Sequence, residues 1–278
     1  MKIRLGTRGS RLARAQAALA EAWLRARYAD VEIETIVVRS AGDGSSAPFT
    51  PESRGVFVKE LEHALLRSEI DVACHSAKDV TFSPPDELAL AAFLPRGDAR
   101  DALVGARALE PGMRIGTSSS RRRAQLLALE PQLRILPLRG NVDRRVERLH
   151  AGEFDAIVVS AAGLELLRRN DEIGAWLPPD EFVPEPGQGG IVLQTRRGDE
   201  ALVSAVDHVR TRAAIEAERE CGRLTGGGCA VPVAAHWKNG VGRAAIFAAD
   251  GAWTIRAAGP DPTQVAADLL DQLSDVAA

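Results

Sequence analysis

The sequence predicts an α/β fold with two lobes, followed by a small α+β domain. Short apolar runs alternate with segments of helical period along most of the 278 residues, and this alternation is typical of mainly parallel sheets. Loops rich in Pro and Gly, at 95–98 and 184–190, interrupt the alternation and indicate two crossings between the lobes. After residue 232 the pattern changes to three short strands and one amphipathic helix.

Local signals place the elements within this scheme. Ser10 is of a residue type that caps helix N-termini, and the residues after it repeat apolar side chains near helical period. The predicted strands are 2–5, 31–38, 70–79, 88–94, 114–116, 134–138, 155–160, 191–194, 233–237, 244–248 and 253–257. The predicted helices are 11–28, 55–68, 124–129, 142–150, 161–168 and 205–220, with a last helix from 263. Residues 40–54 lack periodicity and are predicted to be a surface loop of the kind that often has a function.

Bulk composition excludes several classes of function. The net charge of -3 gives no global attraction to nucleic acid, and an aromatic content of 4% argues against a platform that stacks single-stranded bases. No apolar run approaches the length of a membrane span, and the first residues lack the apolar segment of a signal peptide. Three cysteines without zinc-ligand spacing predict free thiols. We therefore expect a cytoplasmic protein that binds neither nucleic acid nor membrane.

The segment from Ile70 to Val80 is the first candidate for a functional site. A buried strand there ends in Lys78 and Asp79, and open α/β sheets place their chemistry just beyond the carboxyl ends of strands. The alternative is an ordinary ion pair in a loop. His75 in the same segment is either a base or, more commonly for a histidine inside an apolar strand end, a structural residue.

Three strand–helix junctions carry residues that bind anions. The junctions are 7–10, 117–122 and 139–145, where hydroxyls and arginines precede or begin a helix. The free N–H groups of a helix N-terminus attract anions, and arginine forks strengthen the binding. Capping alone explains one such junction, but three together indicate a ligand with several negative groups. The sequence contains no phosphate-binding glycine motif that would indicate a nucleotide.

Two further side chains stand out beside these junctions. Asp79 is a single acid among cations, which keep its carboxylate ionised, so it can stabilise a developing cation or transfer a proton. Cys229 follows three glycines and is expected on an accessible loop. This thiol is either fortuitous or a point of covalent attachment. Cys74 and Cys221, in an apolar run and a helix, are interpreted as buried fillers.

The motifs of this chain resemble those of the porphobilinogen deaminase family. In the family's order and over nearly the whole chain, the matching segments are T-R-G-S (7–10), G-V-F-V-K-E-L-E (55–62), H-S-A-K-D-V (75–80), R-D-A-L-V (100–104), G-T-S-S-S-R-R (116–122), L-R-G-N-V-D-R-R (138–145), G-E-F-D-A-I-V-V-S-A-A-G-L (152–164), P-G-Q-G (186–189) and G-G-C-A-V-P (227–232). The cysteine loop and the H-S-x-K-D segment together are highly specific.

The resemblance implies a fold, an activity and a cofactor. It implies two lobes similar to type II periplasmic binding proteins, with domain 1 at 1–94 and 190–210 and domain 2 at 95–189, and a small cysteine-bearing domain 3 at 211–278. Members condense four porphobilinogen molecules head to tail, release ammonia at each step and yield hydroxymethylbilane for tetrapyrrole and haem biosynthesis. Their dipyrromethane cofactor is bound through a thioether. We expect a monomeric transferase.

The resemblance also assigns individual residues. Asp79 matches the catalytic aspartate and Cys229 the attachment point of the dipyrromethane. The remaining matches are positions that bind the cofactor or the acetate and propionate groups, here Arg8, Ser10, Lys78, Thr117, Ser118, Ser119, Arg121, Arg122, Arg139, Arg145 and Gln188. No metal is implied.

Residues 45–54 depart from the family pattern. The family usually has G-G-K-G before its L-F-x-K-E segment, whereas this chain has E-S-R-G at 52–55, so Arg54 takes the place of a lysine and the loop is shortened. This departure concerns the loop's share of substrate binding and leaves the core chemistry unchanged.

Two other functions are compatible with a two-lobed α/β fold: an anion-binding receptor and the effector domain of a regulator. Neither of them accounts for Cys229 on its glycine loop.

Overall fold

The computed structural model describes residues 1–38, 56–226 and 232–277, with the side chains of residues 56, 57 and 277 left aside. The elements in chain order are β1 (Lys2–Thr7), α1 (Arg11–Arg27), β2 (Glu32–Val37), α2 (Val56–Leu66), β3 (Val72–Ser76), β4 (Leu88–Phe93), β5 (Asp101–Val104), β6 (Arg114–Gly116), α3 (Ser120–Leu129), β7 (Arg134–Leu136), α4 (Val142–His150), β8 (Ala156–Ser160), α5 (Ala161–Leu166), β9 (Ile173–Leu177), β10 (Ile191–Arg196), α6 (Val209–Leu224), β11 (Val233–Lys238), β12 (Val241–Phe247), β13 (Thr254–Gly259) and α7 (Pro262–Ala277).

The chain divides into two compact units. The first unit is Met1–Gly97 with Gly189–Ala213, and it contains a five-stranded sheet in the order β2-β1-β3-β10-β4. The second unit is Asp98–Gln188 with Ala214–Ala278 and contains the other two sheets. We refer to the first unit as the first lobe and to residues 98–188 as the second lobe.

The first-lobe sheet is covered by apolar side chains on both faces. Val72 and Cys74 of β3 belong to a core that includes α1, whereas Ala73 between them packs in a second core with α2. Side chains alternate between the faces of a strand, so the run Val72–Cys74 has to be apolar throughout. This explains why the sequence of β3 predicts a buried strand.

The second lobe repeats this arrangement. Its five strands lie in the order β7-β6-β8-β5-β9, and β8 alternates between two cores, with Ile157 in one and Val158 in the other. In each lobe one strand runs against the rest: β10 is antiparallel to β3 and β4, and β5 is antiparallel to β8 and β9. The prediction of mainly parallel sheets is confirmed, and each sheet also contains one reversed strand.

The remaining sheet is antiparallel and small. Its order is β11-β12-β13, and its core contains Cys221 of α6 and Leu269 of α7. A separate apolar cluster joins Ala124 of α3 to Phe247 of β12 within the second unit. The α/β class with a small α+β C-terminal part is confirmed, whereas the division into three domains at 94/95, 189/190 and 210/211 stays a prediction.

The element bounds differ from prediction where the signals are weak. The strand β9 has no counterpart among the predicted elements, and α6 begins at Val209 after two short 3₁₀ turns rather than at 205. The predicted loop 40–54 lies outside the described residues. No helix in the described part of the chain is long and apolar enough to cross a membrane.

Candidate active site

A pocket lies at the carboxyl ends of β1 and β3 in the first lobe. Arg8 and Ser10 follow β1, and Asp79 ends a short 3₁₀ helix, Ala77–Asp79, that follows β3. All three side chains line this pocket and are half-buried. The fold thus brings together a cation, a hydroxyl and a carboxylate that lie far apart in the sequence, at the sheet edge where α/β proteins bind ligands.

Hydrogen bonds fix the loop between β1 and α1. The buried Thr7 donates from Oγ1 to the carbonyl of Ala13 at 3.0 Å, and the N–H of Ala13 donates to Oγ of Ser10 at 3.2 Å. Ser10 is therefore the N-cap of α1, as predicted. Gln16 donates from Nε2 to Oγ of Ser76 at 2.7 Å and so ties α1 to the end of β3. The first turn of the helix is held beside the pocket.

The backbone beneath Asp79 is also fixed. The N–H of Ala77 donates to the carbonyl of Gly190 at 2.9 Å, and the side chain of Ala77 is buried. Lys78 and Asp79 remain half-buried. A buried anchor followed by two accessible charged residues places Asp79 at the pocket without burying its carboxylate.

His75 has the burial and the hydrogen bond of a structural residue, which is the alternative that the sequence favoured. Its side chain is buried and Nε2 lies 3.0 Å from Oε1 of Gln194 on β10. The pKa of His75 is lowered to about 4, chiefly by burial, with the Gln194 hydrogen bond opposing this shift and the charge of Arg8 adding to it. The ring is therefore neutral at pH 7, although it lines the same pocket as Asp79.

The second of the predicted anion-binding junctions lies between β6 and α3 in the second lobe. The N–H of Arg122 donates to Oγ of Ser119 at 3.3 Å, and the N–H of Ser119 donates to Oγ1 of the buried Thr117 at 3.2 Å. Ser118 between them is exposed. Thr117, Ser118 and Ser119 line a pocket at the N-terminus of the ten-residue helix α3. Backbone N–H groups at a helix N-terminus favour negative charge.

The guanidinium groups of Arg121 and Arg122 bind a carboxylate of their own lobe. Asp101, the first residue of β5, is fully buried and accepts from Nη2 of Arg121 at 2.8 Å and from Nη2 of Arg122 at 2.7 Å. The two arginines are 3% and 5% exposed and also donate to the carbonyls of Val183 and Val158. That they additionally bind ligand carboxylates stays a prediction.

Gln188 belongs to the same buried cluster. Its Nε2 donates to the carbonyl of Ala99 at 2.8 Å and to Oδ1 of Asp101 at 3.0 Å, and its Oε1 accepts from Arg122. Residues 99–101 and 188 are the two points where the chain enters and leaves the second lobe. Gln188 joins these points, and its predicted contact with the cofactor stays a prediction.

The third predicted junction lies between β7 and α4. Asn141 caps α4 by accepting from the N–H of Arg144 at 3.0 Å, and Nε of Arg145 donates to the carbonyl of Gly140 at 2.8 Å. Gly140 has a φ of 105°, which an L side chain rarely adopts. Arg139 and Arg145 are half-buried beside this helix N-terminus. The cap confirms the helix start, and the ligand role of both arginines stays a prediction.

Cys229 and residues 45–54 lie outside the described residues, so the predictions made for them stay open. The other two thiols are buried, and burial raises the pKa of Cys74 and of Cys221 to about 12. Such thiols are protonated and unreactive. Their interpretation as fillers is confirmed.

Sequence reasoning missed Asp101 and Gln194. Asp101 begins a strand that is otherwise wholly apolar, and a carboxylate there requires buried cations as partners. This signal was present in the segment R-D-A-L-V and could have directed attention to Arg121 and Arg122. The partner of Gln194 is 119 residues away, and no local pattern indicates such a contact.

Fold and site together define a two-lobed α/β protein in which strand ends of the first lobe bring Arg8, Ser10 and the half-buried Asp79 to one pocket. The profile described as "Porphobilinogen deaminase, dipyromethane cofactor binding domain" matches residues 3–204. The chain belongs to the porphobilinogen deaminase family. Proteins named porphobilinogen deaminase are 44% identical in Acidothermus cellulolyticus (84% of this chain, 74% of that protein), 41% in Thermus thermophilus (83% and 78%) and 41% in Mycobacterium leprae (96% and 91%).

Proposed function

We propose that this chain is a hydroxymethylbilane synthase, a transferase that condenses four porphobilinogen molecules head to tail on a covalently bound dipyrromethane. Each condensation releases ammonia, and hydrolysis of the finished chain releases hydroxymethylbilane. Family membership supports the activity. The structural observation that supports it most is the first-lobe pocket, where Arg8, Ser10 and Asp79 lie together.

The donor set of the described residues fits a dipyrromethane. Each pyrrole of this group carries two carboxylates, which need cations, hydroxyls and free N–H groups. The first lobe offers Arg8, Ser10 and Lys78, and the second offers the hydroxyls of Thr117–Ser119 at a helix N-terminus. Arg139 and Arg145 are placed at another N-terminus, and we propose that all of these residues hold carboxylates of cofactor or substrate. When bound through Cys229, the dipyrromethane supplies a free pyrrole α-carbon to which substrate is joined.

Asp79 is proposed to act on the charge that develops in each condensation. The C–N bond of the substrate's aminomethyl group breaks, ammonia leaves, and the substrate pyrrole becomes cationic. A C–C bond then forms to the free α-carbon, which loses its proton. An ionised carboxylate in a half-buried pocket stabilises such a cation more strongly than water does, and it accepts hydrogen bonds from pyrrole N–H groups.

The cationic side chains have a separate task from Asp79. Because they bind carboxylates that do not react, they hold the substrate ring in place before and after the bond changes. Ser10 and Ser119 contribute through the helix turns that they cap. Binding and charge stabilisation are thus assigned to different residues of the same strand ends.

Intact-protein mass spectrometry tests the proposal directly. The purified chain should be heavier than its sequence by two linked pyrrole units, and Cys229→Ser should have the sequence mass alone. Cys221→Ala is the matched control, since its thiol is buried, and it should retain the adduct.

A rate assay completes this test. The wild-type chain should form hydroxymethylbilane and ammonia from porphobilinogen, whereas Cys229→Ser should form neither. A wild-type protein without adduct that makes no bilane would refute the proposed function. The monomeric state, the cytoplasmic location and the lack of nucleic-acid binding stay predictions.

A further inference from the structure

Three buried polar side chains form a chain of hydrogen bonds beneath the Asp79 pocket. Glu62 of α2 accepts from Nε2 of Gln194 at 3.1 Å, and Oε1 of Gln194 lies 3.0 Å from Nε2 of His75. Glu62 is 5%, Gln194 0% and His75 4% exposed. The three residues come from a helix and two neighbouring strands, and only His75 lines the pocket.

The chemistry of the partners fixes the direction of every bond in this chain. A carboxylate only accepts, so the amide nitrogen of Gln194 has to face Glu62. The amide oxygen then faces His75, and because it also only accepts, Nε2 of His75 has to carry a hydrogen. The ring is neutral, so Nδ1 carries none.

We propose that Glu62, acting through Gln194, fixes the proton of His75 on Nε2, so that the ring offers Nδ1 only as an acceptor to the pocket that contains Asp79. A proton on Nδ1 would add an N–H donor to this pocket. That donor would compete with the N–H groups of a bound pyrrole for hydrogen-bond acceptors that line the pocket. Glu62 and Gln194 are positioning residues. The catalytic consequence rests on the proposed function, whereas the position of the proton does not.

The substitution Glu62→Gln tests this proposal with little change in shape. An amide at position 62 can donate to Oε1 of Gln194, which allows the amide of Gln194 to turn over and present its NH₂ to His75. The test records ¹⁵N spectra of histidine-labelled, full-length protein, in which Nδ1 and Nε2 of the five histidines report which nitrogen is protonated. The signals lost in His75→Gln identify residue 75. Glu60→Gln, on the same helix, is the matched control.

Wild type and Glu60→Gln should show the proton of His75 on Nε2, and Glu62→Gln should show it on Nδ1 or divided between the nitrogens. The kcat of Glu62→Gln should fall about tenfold, the size of one lost hydrogen bond. Its KM should stay within about twofold, because the carboxylate-binding residues are unchanged. An unchanged proton position, or a moved proton with wild-type kcat, would overturn the proposal. If the wild type lacks bilane synthesis, the proposed function fails while the spectra still decide where the proton lies.

Discussion

The junction from β1 to α1 in the first lobe and the junction from β6 to α3 in the second are built alike. A Gly-Thr pair stands at the end of both strands, and Thr7 and Thr117 are both buried and hydrogen-bonded to the following turn. Ser10 and Ser119 then cap the helices in the same way. The two five-stranded sheets also share one strand order with one reversed strand. The lobes therefore differ in side chains rather than in framework.

The two lobes differ in where an acidic residue lies relative to the sheet. Register pairs Asp101 of β5 with Ser160 at the end of β8, and it pairs Ile191 of β10 with Ser76 at the end of β3. The equivalent position thus carries a buried acid in the second lobe and an apolar residue in the first. In the first lobe the acid is Asp79, beyond the strand end and half-buried. The carboxylate inside the sheet binds the lobe's own arginines, whereas the carboxylate beyond the sheet edge lines a pocket.

Asp101→Asn is expected to have the largest effect on stability. The substitution leaves two buried guanidinium groups without their counter-charge, which costs about 3–5 kcal/mol of unfolding free energy. Urea unfolding of the second unit measures it. Asp155→Asn is the control, because its pair with Arg114 is exposed and should contribute less than about 1 kcal/mol. Equal losses for both variants would contradict the structural role of Asp101.

Asp79→Asn should affect turnover and not folding. Loss of one stabilising charge lowers kcat by about 10²–10³-fold, while the unfolding free energy and the cofactor mass should remain those of the wild type. Bilane formation, urea unfolding and intact mass measure the three quantities. Asp86→Asn, an exposed change in the same lobe, should keep full activity. Turnover near the wild-type rate would remove Asp79 from the chemistry.

His75 should make the first lobe sensitive to acid. Burial holds its folded pKa at about 4, below the ordinary 6.5, so between these values the unfolded chain binds a proton that the folded chain does not. Stability should therefore fall as pH drops from 6.5 to 4, by up to about 3 kcal/mol, and this contribution should level off below pH 4. The charges that face the ring are Arg8 and, through Gln194, Glu62.

Unfolding free energies across this pH range, compared between wild type and His75→Gln, measure this contribution. In His75→Gln the unfolding free energy should fall less steeply between pH 6.5 and 4, because the contribution of His75 is absent. His63→Gln, an exposed change on α2, should retain it. The second lobe has Val159 at the equivalent position, opposite Ala102, and so has no counterpart of this group. An identical slope in wild type and His75→Gln would show that the ring titrates normally.

The sequence predicted what local chemistry determines. Ser10 was recognisable as a cap because a capping side chain bonds to the N–H groups of the next turn. The buried strand β3 was recognisable because both of its faces are apolar. The ends of predicted strands also identified Arg8, Ser10 and Asp79 as candidate site residues, and the structure shows that the three line one pocket.

The parts that were missed depend on distant segments. The reversal of β5 and β10 follows from the path of the chain between the lobes, which no window of sequence contains. The binding of Arg121 by Asp101 and of His75 by Gln194 likewise joins separate elements. The strand β9 has the sequence I-G-A-W-L, and its glycine weakens the strand signal.

The position of β10 in the first sheet also determines when that sheet can form. β10 lies between β3 and β4, and among the strands that the structure describes it is the sole neighbour of β4. A ribosome that has delivered β1 to β4 must therefore synthesise the whole second lobe before Ile191–Arg196 can join them. Until then β3 presents an open edge next to Asp79, and such edges aggregate readily. The second lobe lies in one stretch of chain and can close first. The lobe that begins the chain is therefore completed last.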